Sequence, residues 1–407
     1  MSMNRNLDFG LEEALKMTLA RIRPLASEDI ALWESVDRVV AEDLYAKVNS
    51  PSVDASLKDG YAVISADVER ASESNPVCLK QIGVTGAGDP EHMSLKAGIT
   101  VRVLTGARIP EGANAVVAEE FTRKEGENIV FLNFAEPGRN ILPKGCDVAL
   151  GKCIIRKGQK LTPGLVGFLA AAGYERVALS RVPGVAILAT GDEVVAPGKP
   201  LPEGKLYASN ITTLAAWCRR FAMPVDMRIV KDSAAEIRQA MESMLKDSDA
   251  LITSGGAWTG DRDLVAAILS ELGWQQVFHR IRIGPGKAVG FGILKGKPVF
   301  VLPGGPPSNL MGFLQIALPG LLKLAGYSDP GLPLIYARTA ENLSGKYADW
   351  TQFIFGKLDM RHELPVFHSL RGASRLKSMA DAEAVAAVPE GETFIPAGSV
   401  IRVQLLK

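Results

Sequence analysis

The sequence predicts a multidomain protein of α/β and β architecture: a central doubly wound α/β domain, a β-rich inserted domain before it, and a C-terminal β-barrel-like domain. The length of 407 residues is enough for several domains of ordinary size. Beyond Pro183, apolar strand-like runs alternate with helical segments, which is the pattern of a parallel sheet covered by helices. On either side of that region, short β-like runs are separated by turns, as in small β domains.

The N-terminal part begins with a helix and continues as a β-rich module. Leu11, Leu15 and Leu19 recur at helical spacing, and Pro24 ends the predicted helix. Short strands are then predicted at residues 60–64, 77–79, 100–104, 115–117 and 129–132. Residues 154–182 have the pattern strand, helix, strand, which indicates that the β-rich module is an insertion.

The central and C-terminal parts follow in the same way. Strands are predicted at 185–190, 225–230 and 250–253, and helices at 210–221, 233–245 and 262–272. Ser233 and Glu236 have capping-box spacing, which favours a helix start there. Strands at 277–283, 289–293 and 298–302 precede a buried apolar helix over 310–327. The last module, β-barrel-like or sandwich-like, has strands at 334–339, 351–358, 384–388 and 400–405.

The length suggests about two to four domains, and these elements divide the chain into four segments. The N-terminal linker domain is discontinuous, residues 1–52 plus 143–182, and encloses the β-rich domain at 53–142. The α/β domain covers 183–328, and the C-terminal β-barrel domain covers 329–407.

Composition excludes several function classes. The net charge is +1, from 46 Lys and Arg against 45 Asp and Glu, so no charge surplus favours binding to nucleic acid or to a membrane surface. The first residues lack the apolar stretch of a signal peptide, and the four Cys and four His show no metal-binding or paired spacing. A cytoplasmic protein is therefore expected.

Three predicted strands of the central sheet end in small, backbone-exposing loops. The carboxyl ends of parallel strands meet at one sheet edge, where ligands bind, so the loops predict one crevice. Glycines let the main chain approach a ligand, and a following helix start favours an anion. For any single loop, a tight turn without a ligand is the alternative. The candidate binding residues are Thr190, Gly191, Ser254, Gly255, Gly256, Pro303, Gly304, Gly305 and Pro306.

Charged residues accompany these loops. Asp192 and Glu193 follow the first loop, and Asp261 and Asp263 follow the second. Carboxylates beside a phosphate-type pocket favour a bridging Mg²⁺, although Asp261 could equally cap the helix that follows. Lys287 lies on a turn where its ammonium could meet a phosphate, with a solvated surface Lys as the alternative.

The usual nucleotide and hydrolase fingerprints are missing. No GxGxxG follows a strand, and neither GxxxxGK[ST] nor GxSxG occurs. Phosphate chemistry by positioning and charge is therefore the best interpretation from the residues.

An ordered set of short motifs carries a family resemblance. They lie at residues 54–62 (DASLKDGYA, where the family pattern is close to DNSAMDGYA), 105–117, 138–141, 145–147, 190–193, 254–256, 285–287 and 303–306. Through them the chain resembles the molybdopterin molybdenumtransferase family, the MoeA proteins and the E domain of gephyrin, over nearly its whole length. The central domain would then be a MogA-like molybdopterin-binding domain.

The resemblance implies the last step of molybdenum cofactor synthesis. Adenylylated molybdopterin is hydrolysed, molybdate is ligated to the dithiolene, Mg²⁺ assists and AMP leaves. It also implies a homodimer joined through the linker domain, with other proteins of molybdenum cofactor synthesis as partners. The active cleft would lie between the α/β domain of one subunit and the β-rich domain of the other.

The resemblance also assigns roles to residues. Asp59, Thr105 and Asp147 would come from the partner side of the cleft, with turn and loop capping as their alternative role. Ser374 of the last domain would bind substrate together with Thr105 and the loop residues. The catalytic set implied is Asp59, Asp147, Glu193, Asp263 and Lys287. The metal set is Asp192, Glu193, Asp232, Asp261 and Asp263.

The chain departs from the family pattern at four positions. Gly305 replaces an Asn, Trp258 replaces a small hydroxyl residue, and Asp381 replaces an Asn. Gly284 replaces the Lys that precedes PGK, and Arg282 is the alternative source of that cation. A second hypothesis is therefore a divergent paralogue that binds or delivers the pterin cofactor, or handles tungstate, without efficient turnover. A purely scaffolding role is a third hypothesis, by analogy with gephyrin.

Overall fold

A computed structural model of the chain describes residues 7–90, 92–255, 264–370 and 375–407. The chain divides into two compact units. The β unit comprises Asp29–Leu179, and the α/β unit comprises Met1–Glu28 together with Ser180–Lys407. The finer division into four domains stays a prediction.

The elements up to the end of the β unit are mostly short strands. In chain order they are α1 (Leu11–Arg21), β1 (Ser27–Ala31), β2 (Leu44–Tyr45), β3 (Ala55–Ser56), β4 (Gly60–Val63), β5 (Val77–Thr85), β6 (Ile99–Val103), β7 (Ala115–Ala118), β8 (Thr122–Glu125), β9 (Asn128–Phe131), β10 (Ile141–Leu142), β11 (Cys153–Ile155), α2 (Pro163–Ala171) and β12 (Arg176–Ser180). Short 3₁₀ turns occupy Leu32–Glu34, Ser65–Val68 and Glu119–Phe121.

A six-stranded sheet dominates the β unit, in the order β7-β4-β6-β5-β9-β8. The pair β5 and β6 is parallel, and the other neighbours are antiparallel. Alternate residues of β4 enter different cores: Tyr61 and Val63 pack in one, and Ala62 packs in the other. The predicted β-rich module is thus confirmed.

The α/β unit then continues with the second half of the chain. Its elements are β13 (Val185–Thr190), β14 (Val194–Val195), β15 (Leu206–Tyr207), α3 (Ser209–Arg220), β16 (Val225–Val230), α4 (Ala234–Asp247), β17 (Ala250–Ser254), α5 (Leu264–Glu271), β18 (Gln275–His279), β19 (Ile283–Gly284), β20 (Gly290–Leu294), β21 (Lys297–Leu302), α6 (Pro306–Gly312), α7 (Leu318–Leu324), β22 (Leu334–Thr339), β23 (Leu343–Ser344), β24 (Thr351–Asp359), β25 (Val366–Ser369), α8 (Arg375–Asp381), β26 (Ala384–Val388), β27 (Phe394–Ile395) and β28 (Val400–Leu405).

The central sheet has the order β16-β13-β17-β21-β20-β18. The first four strands are mutually parallel, and β20 and β18 extend the sheet in antiparallel fashion. Ile187 belongs to the core formed with α3 and α6, whereas Leu188 belongs to the core formed with α4 and α5. Because helices cover both faces, the inner strands β13 and β17 are buried at every residue, and the predicted doubly wound domain is confirmed.

The long apolar segment forms α6, a π-helical turn at Phe313–Ala317, and α7 without interruption. It begins at Pro306, earlier than the sequence predicts, because Pro suits the first turn of a helix. Within the part of the chain that the structure describes, no helix is long and apolar enough to cross a membrane.

The C-terminal strands close into a barrel in the order β24-β25-β22-β28-β26, with β26 pairing back to β24. β19 adds to β24 in parallel. The sequence predicts one strand over 277–283, but the structure has two, because Arg280 adopts a φ of +82° that breaks the extended chain. The barrel-like prediction for this module is confirmed.

Candidate functional site

The candidate site lies where the strand order of the central sheet reverses. The connection from β13 leads to β16 on one side, whereas the chain that leaves β17, the other neighbour of β13, leads to strands on the opposite side. Ala189 pairs with Ser254, and Ser254 pairs with Leu302 on the next strand. The carboxyl ends of β13, β17 and β21 are therefore level, and the three glycine-containing loops lie side by side, as the sequence predicts.

Glycine is required where the first two loops meet. Gly255 has a φ of +98°, and a Cβ atom there would lie 2.8 Å from the carbonyl oxygen of Thr190. Gly191 has a φ of +144°, and a Cβ atom there would lie 2.7 Å from a carboxylate oxygen of Glu193. Gly255 therefore lets the backbones of the two loops approach each other, and Gly191 leaves room for the Glu193 side chain of its own loop.

A crevice of about 160 Å³ opens among these loops. Its polar lining includes the hydroxyls of Thr190, Ser209 and Ser254 and the carboxylate of Glu193. Gly304 and Pro306 from the third loop complete the lining on one side. Hydroxyls, a carboxylate and exposed main chain around an apolar floor suit a polar ligand with oxygen atoms.

Two asparagines that the sequence analysis did not select hold the third loop. Asn309 of α6 is 1% exposed, and its Nδ2 donates to the carbonyl oxygen of Pro303 at 2.9 Å and to Oγ of Ser254 at 3.0 Å. Asn210 at the start of α3 donates from Nδ2 to the carbonyl oxygen of Gly304 at 2.7 Å. The sequence contains one signal for Asn309: it is a polar residue in a largely apolar helical segment.

The predicted metal-binding carboxylates are only partly gathered in the described structure. Asp192, Glu193 and Asp232 are exposed, and the main-chain N–H of Asp232 donates to Oδ1 of Asp192 at 3.4 Å. Lys205 donates from Nζ to the carbonyl oxygen of Asp192 at 2.8 Å. Among residues 7–90, 92–255, 264–370 and 375–407, no three Asp, Glu, His or Cys side chains are grouped closely enough to hold a metal ion.

The predicted cation, Lys287, is exposed on the turn that follows β19. This turn packs on α6: a Cβ atom at Gly286, whose φ is +120°, would lie 3.3 Å from both Ser308 O and Gly312 N. Because α6 begins at Pro306 of the third loop, the turn carrying Lys287 is anchored to the helix that the loop enters.

The remaining predicted residues of the β unit form capped turns. Both the main-chain N–H and the hydroxyl of Thr105 donate to Oδ1 of Asp59, at 2.7 and 2.8 Å. These hydrogen bonds, the main-chain one first, hold the pKa of Asp59 below its usual range. Asp147 lies in a loop where its N–H donates to the carbonyl oxygen of Ser50. Cys146 Sγ is 3.8 Å from Oδ1 of Asp147. The contacts of Asp59 are therefore those of a residue that caps a turn, which is the alternative role that the sequence allows.

Four predicted site residues, Gly256, Asp261, Asp263 and Ser374, lie outside the described residues, as does Trp258.

Comparisons with known proteins decide the family. The family described as the MoeA N-terminal region (domain I and II) matches residues 9–173, and the probable molybdopterin binding domain matches residues 186–323. A molybdopterin molybdenumtransferase from Haemophilus influenzae is 36% identical over 305 residues, 74% of each chain. The Bacillus subtilis molybdopterin molybdenumtransferase is 30% identical over 414 residues, covering 100% of this chain and 96% of the relative.

The chain belongs to the molybdopterin molybdenumtransferase family. This family consists of transferases of molybdenum cofactor biosynthesis, and the resemblance drawn from the motifs is confirmed. Its fold agrees as well, because the molybdopterin biosynthesis MoeA protein from Pyrococcus horikoshii OT3 superposes with a TM-score of 0.84. The match has 28% identity and covers 98% of this chain and 99% of that one.

Two departures from the molybdenumtransferase pattern acquire a structural explanation. Arg282 does not replace the cation missing at Gly284, because its guanidinium donates to the carbonyl oxygens of Leu7, Asp8 and Asp349 and pairs with Glu390 at 2.7 Å. Asp381 pairs with Lys377 at 2.9 Å, and this partner lowers the pKa of Asp381 and offsets its charge. Arg282 therefore does not supply the positive charge that is missing at Gly284. The negative charge of Asp381, by contrast, is neutralised by Lys377.

Proposed function

We propose that this transferase inserts molybdate into adenylylated molybdopterin and releases AMP, with Mg²⁺ assisting. The observation that carries the proposal is the convergence of three loops, from adjacent parallel strands, on one crevice at the point where the strand order reverses. That is where open α/β sheets bind phosphorylated ligands. Family membership supplies the substrate class, since the relatives are named molybdopterin molybdenumtransferases.

The chain's own groups have distinct tasks in this proposal. The Ser254 hydroxyl and the loop N–H groups bind oxyanion oxygens, and they do so strongly because Ser254 is only 5% exposed. Lys287 supplies an exposed positive charge for a phosphate. Asn309 and Asn210 keep the loops in position without touching the ligand.

The carboxylates fit Mg²⁺ by donor type. Mg²⁺ is commonly held by one or two carboxylates, waters and the oxygens of a substrate phosphate, so a large protein cage is unnecessary. Glu193 in the crevice lining and the neighbouring Asp192 would hold it, with Asp232 adjacent to Asp192, and Asp261 and Asp263 complete the proposed set. When bound, the ion neutralises charge on the phosphate and polarises its link to the pterin.

We further propose that the active form is a homodimer, in which Asp59, Thr105 and Asp147 of a second copy complete the cleft. Other proteins of molybdenum cofactor synthesis would supply the pterin and receive the product. The exposed Asp59 carboxylate stays ionised because of its hydrogen bonds from Thr105, which suits a group that meets a cation or a bound water.

The experiment is a turnover assay. Purified protein is mixed with adenylylated molybdopterin, molybdate and Mg²⁺, and AMP is quantified by chromatography. We expect AMP to appear only when both molybdate and Mg²⁺ are present. AMP release that is indifferent to molybdate would refute insertion, and omission of each component in turn is the control.

A second candidate is favoured by the missing cation at Gly284. A paralogue that binds or delivers the pterin, or handles tungstate, would keep the crevice but turn over poorly, because one positive charge beside Lys287 is gone and Arg282 does not replace it. Tight pterin binding without AMP release in the same assay supports this candidate. Replacing molybdate by tungstate tests the choice of oxyanion.

A further inference from the structure

We infer that Asn309 is a positioning residue that turns the hydroxyl of Ser254 into a hydrogen-bond donor aimed at an oxyanion in the crevice. This inference rests on the proposed function. It explains how the wall of the crevice that contains Ser254 presents a hydrogen-bond donor.

The orientation of the Asn309 amide is fixed by its partners. The carbonyl oxygen of Pro303 can only accept a hydrogen bond, so the Asn309 atom 2.9 Å from it must be the NH₂ nitrogen. The same nitrogen lies 3.0 Å from Oγ of Ser254, and an amide NH₂ has only protons to offer. Oγ of Ser254 is therefore the acceptor in this bond.

The hydroxyl proton of Ser254 must then be directed elsewhere. A hydroxyl that already accepts one bond still has its own proton to donate, and within the described residues no acceptor is shown for it. Ser254 is 5% exposed and lines the crevice, so a proton directed into the crevice can meet a ligand there. A ligand there must present a hydrogen-bond acceptor, and an oxyanion is the strongest one.

Asn309 also holds the geometry of this donor. It bonds to the second loop through Ser254 and to the third loop through Pro303, so one buried amide fixes the separation of two walls. Its own backbone N–H donates to the carbonyl oxygen of Gly305 at 2.8 Å, which anchors the residue one helical turn beyond the loop. Loss of this amide should therefore disturb the spacing of the two loops as well as the Ser254 donor.

The oxyanion has two sources in the proposed reaction, the phosphate of adenylylated molybdopterin and molybdate. The assay distinguishes them, because a lost contact to phosphate raises KM for the pterin and a lost contact to molybdate raises KM for molybdate. A hydrogen bond to a charged group is worth roughly ten- to a hundredfold in affinity.

The test is a double-mutant cycle on the full-length protein with Asn309→Asp, Ser254→Ala and the double variant. The carboxylate of N309D has the shape of the amide and accepts the Ser254 proton, so it withdraws that donor from the crevice; it also faces the Pro303 carbonyl oxygen with no proton to offer it. We expect each single variant to raise one of the two KM values by roughly tenfold or more, and the double variant to match S254A within about twofold.

A matched control removes another buried amide of the same helical segment. Gln315 in the π-helical turn is 9% exposed and donates to Gln404 at 2.8 Å, so Gln315→Met loses a comparable bond away from the crevice. We expect Q315M to lower the thermal midpoint by less than N309D does, because it buries no charge, and to leave both KM values unchanged.

Each outcome decides the inference. Additive losses in the double variant, or unchanged KM values in N309D with its fold intact, would overturn the role of Asn309 while leaving the proposed function in place. A wild-type protein without molybdate-dependent AMP release would overturn both.

Discussion

Single residues determine whether the loops of the site can approach one another, and Gly255 shows this most clearly. We predict that Gly255→Ala destabilises the protein by about 2 kcal/mol, because φ is +98° and the new Cβ would lie 2.8 Å from Thr190 O. Thermal unfolding measures the effect. Gly305→Ala is the matched control: its φ is −70° and no atom lies within 4 Å of the added Cβ, so its change should stay within about 0.5 kcal/mol.

Equal stability losses in the two alanine variants would show that the conformation of Gly255 is unimportant.

The Asp249 carboxylate links stability to pH. Arg181 donates two hydrogen bonds to it, at 2.7 and 2.8 Å, and Gly184 N donates a third at 2.8 Å. Burial alone would raise the pKa of Asp249, but these hydrogen bonds outweigh it and lower the pKa. Its contribution to stability is therefore fully present above the unfolded pKa near 4 and is lost as pH falls through the lower folded value.

We predict that Asp249→Asn lowers the free energy of unfolding by about 1–2 kcal/mol at pH 7, and that the difference from wild type shrinks below about pH 4. Chemical denaturation across that range measures it. Asp247→Asn, at an exposed residue ending α4, should change stability by no more than about 0.5 kcal/mol. A difference for D249N that grows in acid would contradict the assignment.

Individual residues also differ in how well the sequence predicts their roles. Glycines after apolar strands were informative because chain connectivity places them at one sheet edge. Asn309 and Arg282 were less informative, because important partners are far away in sequence: Ser254 for Asn309, and Leu7 and Glu390 for Arg282. The spacing of residues along the sequence does not predict such long-range contacts.

At the scale of elements, α4 begins where its sequence predicts. Ser233 is the N-cap, and its side chain accepts a hydrogen bond from the main-chain N–H of Glu236. We predict that Ser233→Ala costs about 1 kcal/mol, since one of the first N–H groups loses its acceptor. Ser270→Ala, at an exposed position within α5, is the control and should be neutral within about 0.5 kcal/mol.

Chemical denaturation of both serine variants measures the free energy of unfolding. An S233A variant as stable as wild type would show that the Ser233 cap does not stabilise α4.

Elements with strong periodicity were predictable, and short or interrupted ones were not. β13 and β17 are continuous apolar runs between turns, and their predicted bounds agree with the structure within one residue. β25 (Val366–Ser369) was missed because four residues with mixed polarity give no clear pattern. The break at Arg280 was missed because a positive φ is signalled in a sequence by Gly or Asn, and this position is an Arg.

At the scale of the whole molecule, the fold class and the family were predictable because several independent motifs occur in a fixed order. The structure adds which loops share an edge, while the four-domain division, the homodimer and the cytoplasmic location stay predictions. The α/β unit alone contains the crevice, its two asparagines and the turn of Lys287. The central claim is therefore that the reaction takes place in this crevice.

The most direct measurement of that claim is the rate of molybdate-dependent AMP release by the wild type and by Gly304→Trp. Gly304 is exposed in the lining, and the nearest atom to an added Cβ is Gly255 Cα at 3.9 Å, so an indole can enter the crevice without distorting the backbone. We predict turnover by the wild type and at least a roughly tenfold loss in G304W with an unchanged thermal midpoint. Equal rates in the two proteins would show that the reaction takes place outside this crevice.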